Sequence, residues 1–387
     1  MATVTRISAL LDRSAFRATR RAAYLDTATV GPLSRTTVAA VAGALQDVAE
    51  HGSAHLDEHF AVVERSRAQA ADLLGATAES YAFVRSTTAG LAQVVQGLDL
   101  EPSDSIAVPF GEFPSLAASV LGTQAGLVWV NPGAVHATTL DDYRQVVRDP
   151  RVRLVVAPWV DASYEAVDLR ALADLCHDAG ALLCVDLIRG AGVLPLDLEA
   201  ADVDFAVTNA YKWLLAGPGL GLLYVHPRHL DRLRSLEPGW LSTVWTGDGE
   251  LAWRSDVRKL EGGTPAIPLH HGLAAALDEL AELGTERIGA HVRTLSGELA
   301  GRLADAGLPA PRATEREGYA AAAVCRIPVR DPGGTVRALA DRGVVCGASG
   351  SSLLVALHAF SDSDDLDQLV THLGEHLTRT RENGATP

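Results

Sequence analysis

The chain has 387 residues, 48% of them hydrophobic and 21% charged, and a net charge of −15. That length can bury one large core and a smaller one, while the acidic balance repels phosphate backbones and anionic lipid surfaces, so neither nucleic acid nor membrane is expected as a partner. No run reaches the ~18 apolar residues of a membrane span. Cys176, Cys184, Cys325 and Cys346 form no C-x-x-C pair, so neither a zinc site nor a disulfide framework is expected, and the cytoplasm is the expected compartment.

In chain order, residues 1–20 read as a helical arm with an Arg-rich face. No apolar run follows it, as a secretory leader would require. Tyr24-Leu25-Asp26-Thr27-Ala28 enters a turn at Gly31-Pro32. Helical patterns run over 35–50 and 57–74, and a helix after Thr88 places Leu91, Val94, Val95 and Leu98 on one face. Strands are then expected at 105–109, 125–130, 152–157, 181–185, 204–208 and 220–225, with an amphipathic helix over 169–179. Such apolar strands between helices predict a largely parallel sheet covered on both faces. Ligands bind beyond the carboxyl ends of such strands. Residues 228–266 read as irregular and hold Trp240, Trp245 and Trp253. Helices at 269–283 and 286–306 follow, then strands at 320–329 and 344–357. The expected organisation is an arm (1–20) packing on the small domain, a large domain (21–265), a small C-terminal domain (266–377) and a frayed tail (378–387). His270-His271 follows Pro268 at a helix start with no carboxylate or cysteine at ligand spacing, so no metal site is expected.

The chemistry concentrates at strand exits. Lys212 lies in Thr208-Asn209-Ala210-Tyr211-Lys212-Trp213, ahead of Ala216-Gly217-Pro218-Gly219. A lysine in apolar surroundings loses its proton readily and can form a Schiff base with an aldehyde. Asp186 ends another apolar strand. Ser86-Thr87-Thr88-Ala89-Gly90 opens a helix, where backbone N–H groups and hydroxyls suit a phosphate. Lysine for an aldehyde, carboxylate for a ring nitrogen and helix start for a phosphate together describe a pyridoxal phosphate site. Phe113, after the 105–109 strand, is a candidate to stack on the ring, and Thr264 in Gly262-Gly263-Thr264-Pro265 a candidate for a further phosphate bond.

These strings resemble the class V aminotransferase group of fold-type I pyridoxal phosphate enzymes, which includes cysteine desulfurases, kynureninases, isopenicillin N epimerase-like proteins and C–S lyases. The resemblance runs from Tyr24-Leu25-Asp26-Thr27-Ala28 to about Asp365 and is most specific at Asp186, Tyr211-Lys212-Trp213 and Ala216-Gly217-Pro218-Gly219. It implies a large domain with a mostly parallel seven-stranded sheet between helices and a smaller α+β C-terminal domain. By the same resemblance, Phe113 stacks on the ring and Asn209 and Tyr211 lie near the phosphate with Thr87 and Thr88. It also implies a homodimer in which Thr264 reaches the partner's phosphate.

Three departures stand out. Arg189 occupies the place where the group commonly has Gln or His beside the cofactor's 3-oxygen, and Asp161 stands where Asn is frequent. Arg189 either pairs with Asp161 or binds an acidic group of the substrate. The third is Leu354, at the position of the arginine that usually holds a substrate carboxylate. Either Arg189 or another arginine takes over, or the substrate lacks a free α-carboxylate. Cys346 reads as a strand residue rather than the loop nucleophile of a desulfurase. The expected activity is formation of an external aldimine with an amino-acid-like substrate, α-proton abstraction by Lys212 and β-elimination of the C–S lyase type. Aminotransferase and epimerase are the alternatives, and a non-catalytic member of the fold is a third.

Overall fold

The computed structural model describes residues 6–133, 138–311, 319–321 and 323–382. Along the chain run β1 (Ala23–Leu25), α1 (Arg35–His51), α2 (Leu56–Leu74), β2 (Tyr81–Val84), α3 (Thr87–Gly97), β3 (Ser105–Pro109), α4 (Pro114–Ala118), β4 (Gly126–Val130) and α5 (Leu140–Val147). There follow β5 (Val152–Pro158), β6 (Glu165–Val167), α6 (Leu169–Asp178), β7 (Leu182–Asp186), β8 (Phe205–Asn209), β9 (Gly221–Val225), β10 (Thr243–Trp245) and β11 (Leu251–Trp253). The C-terminal part holds α7 (Ile267–Ala281), α8 (Thr285–Asp305), β12 (Tyr319–Ala321), β13 (Val324–Pro328), α9 (Pro332–Ala340), β14 (Val344–Ser349), β15 (Ser352–Ala356) and α10 (Ser363–Glu382).

The main sheet has seven strands in the order β2-β9-β8-β7-β5-β3-β4. Only β9 runs against its neighbours; the other pairings are parallel. Alternate residues face opposite layers. Phe205 and Val207 of β8 pack with Leu91, Val94 and Val95 of α3, whereas Ala206 joins the core on the other face. Gly90 lets α3 lie close, because a Cβ there would meet Val207 Cγ1 at 2.8 Å. The first turn of α3 is thereby carried to the carboxyl ends of the central strands.

A four-stranded sheet, β1-β14-β15-β13, forms the smaller layer. Its strand β1 comes from the N-terminal segment and pairs in parallel with β14. The arm packs on this part: Leu10 N–H donates to the Ala359 carbonyl at 2.7 Å, and Arg13 pairs with Asp365 at 2.8 Å. Its expected helix, however, is absent beyond a 3-10 turn over Arg13–Ala15, because its backbone bonds go to the 359–363 segment instead; residues 1–5 lie outside the described residues.

Three further expectations are corrected. The single strand at 344–357 is the hairpin β14–β15, folded at Gly350 with φ 56°. The irregular stretch contains the hairpin β10–β11. The expected frayed tail is helical over 378–382, which continue α10, where the Thr378 hydroxyl donates to the Gly374 carbonyl at 2.9 Å; residues 383–387, like Ala322 within the expected 320–329 strand, lie outside the described residues. Among the described residues no helix is long and apolar enough to cross a membrane.

Candidate active site

Asp186 and Lys212 arise from neighbouring strands. Asp186 is the last residue of β7, paired in register with Val207 of β8, and Lys212 lies in the turn that leaves β8. That turn is tightly built. Ala216 N–H donates to the Ala210 carbonyl at 2.9 Å, and Leu215, Gly217 and Gly219 adopt positive φ. Gly31 N–H donates to the Tyr211 carbonyl at 2.8 Å, and a Cβ on Gly31 would fall 2.0 Å from the Lys212 carbonyl oxygen. The Gly31-Pro32 turn therefore lies directly on the lysine's backbone. His358 secures the other side. Its Nδ1 accepts from Ala359 N–H at 2.7 Å, so Nε2 carries the proton and donates to the Trp213 carbonyl at 3.0 Å. The ring is stacked between Trp213 and Phe360, and burial pushes its pKa down to about 4, keeping it neutral.

The electrostatics suit proton exchange. Burial pushes the Asp186 carboxyl up to about 6, against the opposing influence of the Ile188 N–H, which it accepts at 2.9 Å, and of Arg189 and Lys212. Burial, followed by the Arg189 charge, lowers the Lys212 ammonium below its ordinary range, while Asp186 and Asp26 oppose that shift. Asp26 is a site residue that sequence reasoning quoted without giving it a role. It leaves the end of β1, its buried Oδ1 has no hydrogen-bond partner, and burial raises its pKa.

Arg189 follows Asp186 on the same turn. Its guanidinium donates to Glu112 Oε2 at 2.9 Å and to the Val160 carbonyl at 3.0 Å, and lies 5.5 Å from the centre of the Tyr164 ring. Glu112 also accepts from Ala162 N–H at 2.6 Å, so this carboxylate joins three loops. Asp161 is engaged with its own turn, accepting from the Ser163 N–H and hydroxyl at 2.9 and 2.6 Å. The carboxylate that neutralises Arg189 is thus Glu112, which sequence reasoning did not single out. Its place three residues beyond the 105–109 strand was the available signal.

The residues fit pyridoxal phosphate. Thr87 and Thr88 occupy the first turn of α3, whose Ser86 cap accepts from Ala89 N–H at 3.1 Å. Thr88 Oγ1 lies 2.8 Å from Ser115 Oγ. Thr87 Oγ1 and Asn209 Oδ1 are buried without hydrogen-bond partners, and such groups are costly unless a ligand satisfies them. Tyr211 is half-buried beside the lysine, whose Nζ lies 5.9 Å from its ring centre. Phe113 caps α4 with 59% of its surface exposed, a ring face free to meet another. Thr264 lines a different groove, of about 410 Å³, shared with Arg85, Ala89 and Glu237.

The substrate side is shaped by the small sheet. Leu354 is buried on β15, where Arg326 of β13 and Gly347 of β14 are its cross-strand neighbours. Directly opposed residues of an antiparallel pair project from the same face. Arg326 donates weakly to the Ala162 carbonyl at 3.4 Å, and its charge acts on Tyr164. Among the described residues no carboxylate forms a salt bridge with Arg326. All four cysteines are buried, and burial pushes the Cys346 thiol up to about 12. His270 is likewise buried, edge-on to Phe83.

Residues 23–361 match the aminotransferase class-V family. The uncharacterized aminotransferase YcbU of Bacillus subtilis is 26% identical over 80% of this chain and 82% of its own. A cysteine desulfurase of Klebsiella pneumoniae subsp. pneumoniae is 30% identical over 70% of each chain. Among solved structures, a C-DES mutant with glycine covalently linked to the PLP cofactor superposes with a TM-score of 0.87 at 20% identity, over 94% of this chain and 99% of that one. The same protein, a cystine C–S lyase, has been solved with its product cysteine persulfide.

Proposed function

This chain is a member of the aminotransferase class-V family, and from that premise we propose that it is a lyase releasing a thiol or persulfide from the β-carbon of an amino-acid-derived substrate. Its cofactor is pyridoxal phosphate, which when bound supplies an electron sink for the carbon bearing the substrate amine. Lys212 Nζ would hold the cofactor, and its amine, already biased toward the neutral form, would serve as the base for the α-proton. Asp186 would keep a proton at the ring nitrogen. Thr87, Thr88, Asn209 and Tyr211 would bind the phosphate, Phe113 would pack on the ring, and Arg189 and Asp161 would lie beside its 3-oxygen.

The observation that carries the lyase reading is the state of the cysteines. A desulfurase that stores sulfur on its own thiolate needs an accessible, low-pKa cysteine, and the four thiols here are all buried. In this reading sulfur leaves on the product, as in the structurally similar cystine C–S lyase solved with cysteine persulfide. Incubation with cystine and S-conjugated cysteines is expected to release pyruvate and ammonia in equal amounts. Amino transfer to a 2-oxo acid without pyruvate would instead make the chain an aminotransferase.

Arg326 is the proposed carboxylate partner of that substrate. Arg189 is already matched to Glu112, whereas Arg326, opposite Leu354, reaches the Ala162 carbonyl and acts on Tyr164 with no anionic partner among the described residues. Arg326→Ala should raise KM about 10- to 100-fold, the range of a lost charge-assisted hydrogen bond of about 1.5–3 kcal/mol. The cofactor's absorbance should not change. An unchanged KM would transfer the role to another group.

The working unit is proposed to be a cytoplasmic homodimer. Exposed Trp240, Trp245, Leu251 and Trp253 form an apolar surface around the β10–β11 hairpin, of the kind that marks an interface. Thr264, separate from the lysine within one chain, then reaches the partner's phosphate.

A further inference from the structure

A second polar cluster lies on the helices that back the main sheet. Asp47, His51, His55 and His59 recur every fourth residue. The first two sit in the last turns of α1, His55 precedes α2 and His59 lies in its first turn. Gly52, with φ 61°, reverses the chain between the helices. All three histidines approach Asp47, and the ligand atoms of Asp47, His51 and His55 lie within 4.8 Å of one another. His51 Nδ1 and His55 Nδ1 lie 3.1 and 2.8 Å from Asp47 Oδ1, and His59 Nε2 lies 3.1 Å from Asp47 Oδ2. A cavity of about 510 Å³ adjoins them, lined also by Glu58, Val62 and His271.

His59 is the informative member. It is 4% exposed, and both its Nε2 and the facing Asp47 Oδ2 are buried with no hydrogen-bond partner. Its other nitrogen, Nδ1, lies 3.0 Å from His271 Nε2 on α7. His59 therefore lies against Asp47 Oδ2 while His51 and His55 approach Oδ1 of the same carboxylate. Ligating carboxylates are held in orientation by neighbouring groups of this kind.

We propose that Asp47, His51 and His55 bind one divalent transition-metal ion of the zinc class, with His59, in contact with His271, holding the Asp47 carboxylate. Two imidazoles and a carboxylate, with a position left for water, are a donor set that suits zinc. Ligand atoms about 2.0–2.2 Å from a shared tetrahedral ion lie about 3.3 Å apart, a few tenths beyond the separations of His51 and His55 from Asp47 Oδ1. The ion closes the α1–α2 turn, and His59 links its carboxylate to α7 through His271. It takes no part in the chemistry at Lys212.

The test uses the tag-free, cofactor-loaded chain after treatment with a chelator, titrated with Zn²⁺ alone. One ion should bind per chain, raising the melting temperature. His51 is exposed and His55 half-buried at the surface, so His51→Ala/His55→Ala should fold normally; it should lose at least about tenfold in affinity with the cofactor's absorbance unchanged. Asp47→Asn should weaken binding similarly. Absence of stoichiometric uptake, or uptake that both variants leave unchanged, would overturn the site and leave a hydrogen-bonded histidine cluster.

Discussion

Lys212→Ala is expected to abolish turnover, with a loss in kcat of at least about 10³-fold. A positioned base alone contributes about 10²–10⁴, and in the proposed mechanism Lys212 supplies both the covalent hold on the cofactor and the α-proton acceptor. The substitution should leave the fold intact, because main-chain bonds from Gly31 and Ala216 and the His358 bond to the Trp213 carbonyl hold the surrounding turn. Lys212→Arg should fail equally: it keeps a cation but has no amine able to form the bond or release its proton at neutral pH. The check is a kcat measurement beside a melting curve. Full turnover in either variant would contradict the role of Lys212.

Asp186→Asn separates activity from stability. Asparagine still accepts the Ile188 N–H but cannot hold a proton at a ring nitrogen, so kcat should fall about 10²–10³-fold, the scale of a lost preorganised electrostatic contact. Cofactor binding to Lys212 should persist. The cofactor-free variant should melt higher than the parent at neutral pH. Burial raises the parent carboxyl from 3.8 to about 6. Its folded state therefore holds a proton that the unfolded chain releases, and this contribution to stability is lost as pH rises from 3.8 to about 6. The variant lacks that slope. Melting curves of both cofactor-free proteins at pH 5 and 7.5 measure the difference. A variant that melts lower than the parent at pH 7.5 would mean that the carboxylate is compensated by groups other than those named.

The sheet and the lysine–aspartate pair were legible because their determinants are local. Near-continuous apolar strands such as Val152–Pro158 and Phe205–Asn209 announce themselves, and both functional residues follow directly from strand ends. Asp26, Glu112 and Arg326 were not assigned because each acquires its role from a distant segment. Asp26 reaches the lysine only because β1 crosses to the sheet containing β14. The importance of Arg326 depends on the β13–β15 register, which no local pattern in residues 324–356 specifies. The missed β14–β15 hairpin had a visible signal in Ser349-Gly350-Ser351, masked by apolar runs on both sides. The arm failed as a helix because neighbouring backbone, unknown to a local reading, offered its hydrogen bonds better partners.

The chain contains two lysines, Lys212 and Lys259, and Lys259 is turned toward the Leu230 carbonyl in another part of the fold. Borohydride reduction of the cofactor-loaded protein, followed by peptide mapping, therefore gives a nearly binary answer. A single pyridoxyl adduct on Lys212, removed by Lys212→Ala, is the predicted result. An adduct on Lys259, or none on protein saturated with pyridoxal phosphate, would contradict the site described above.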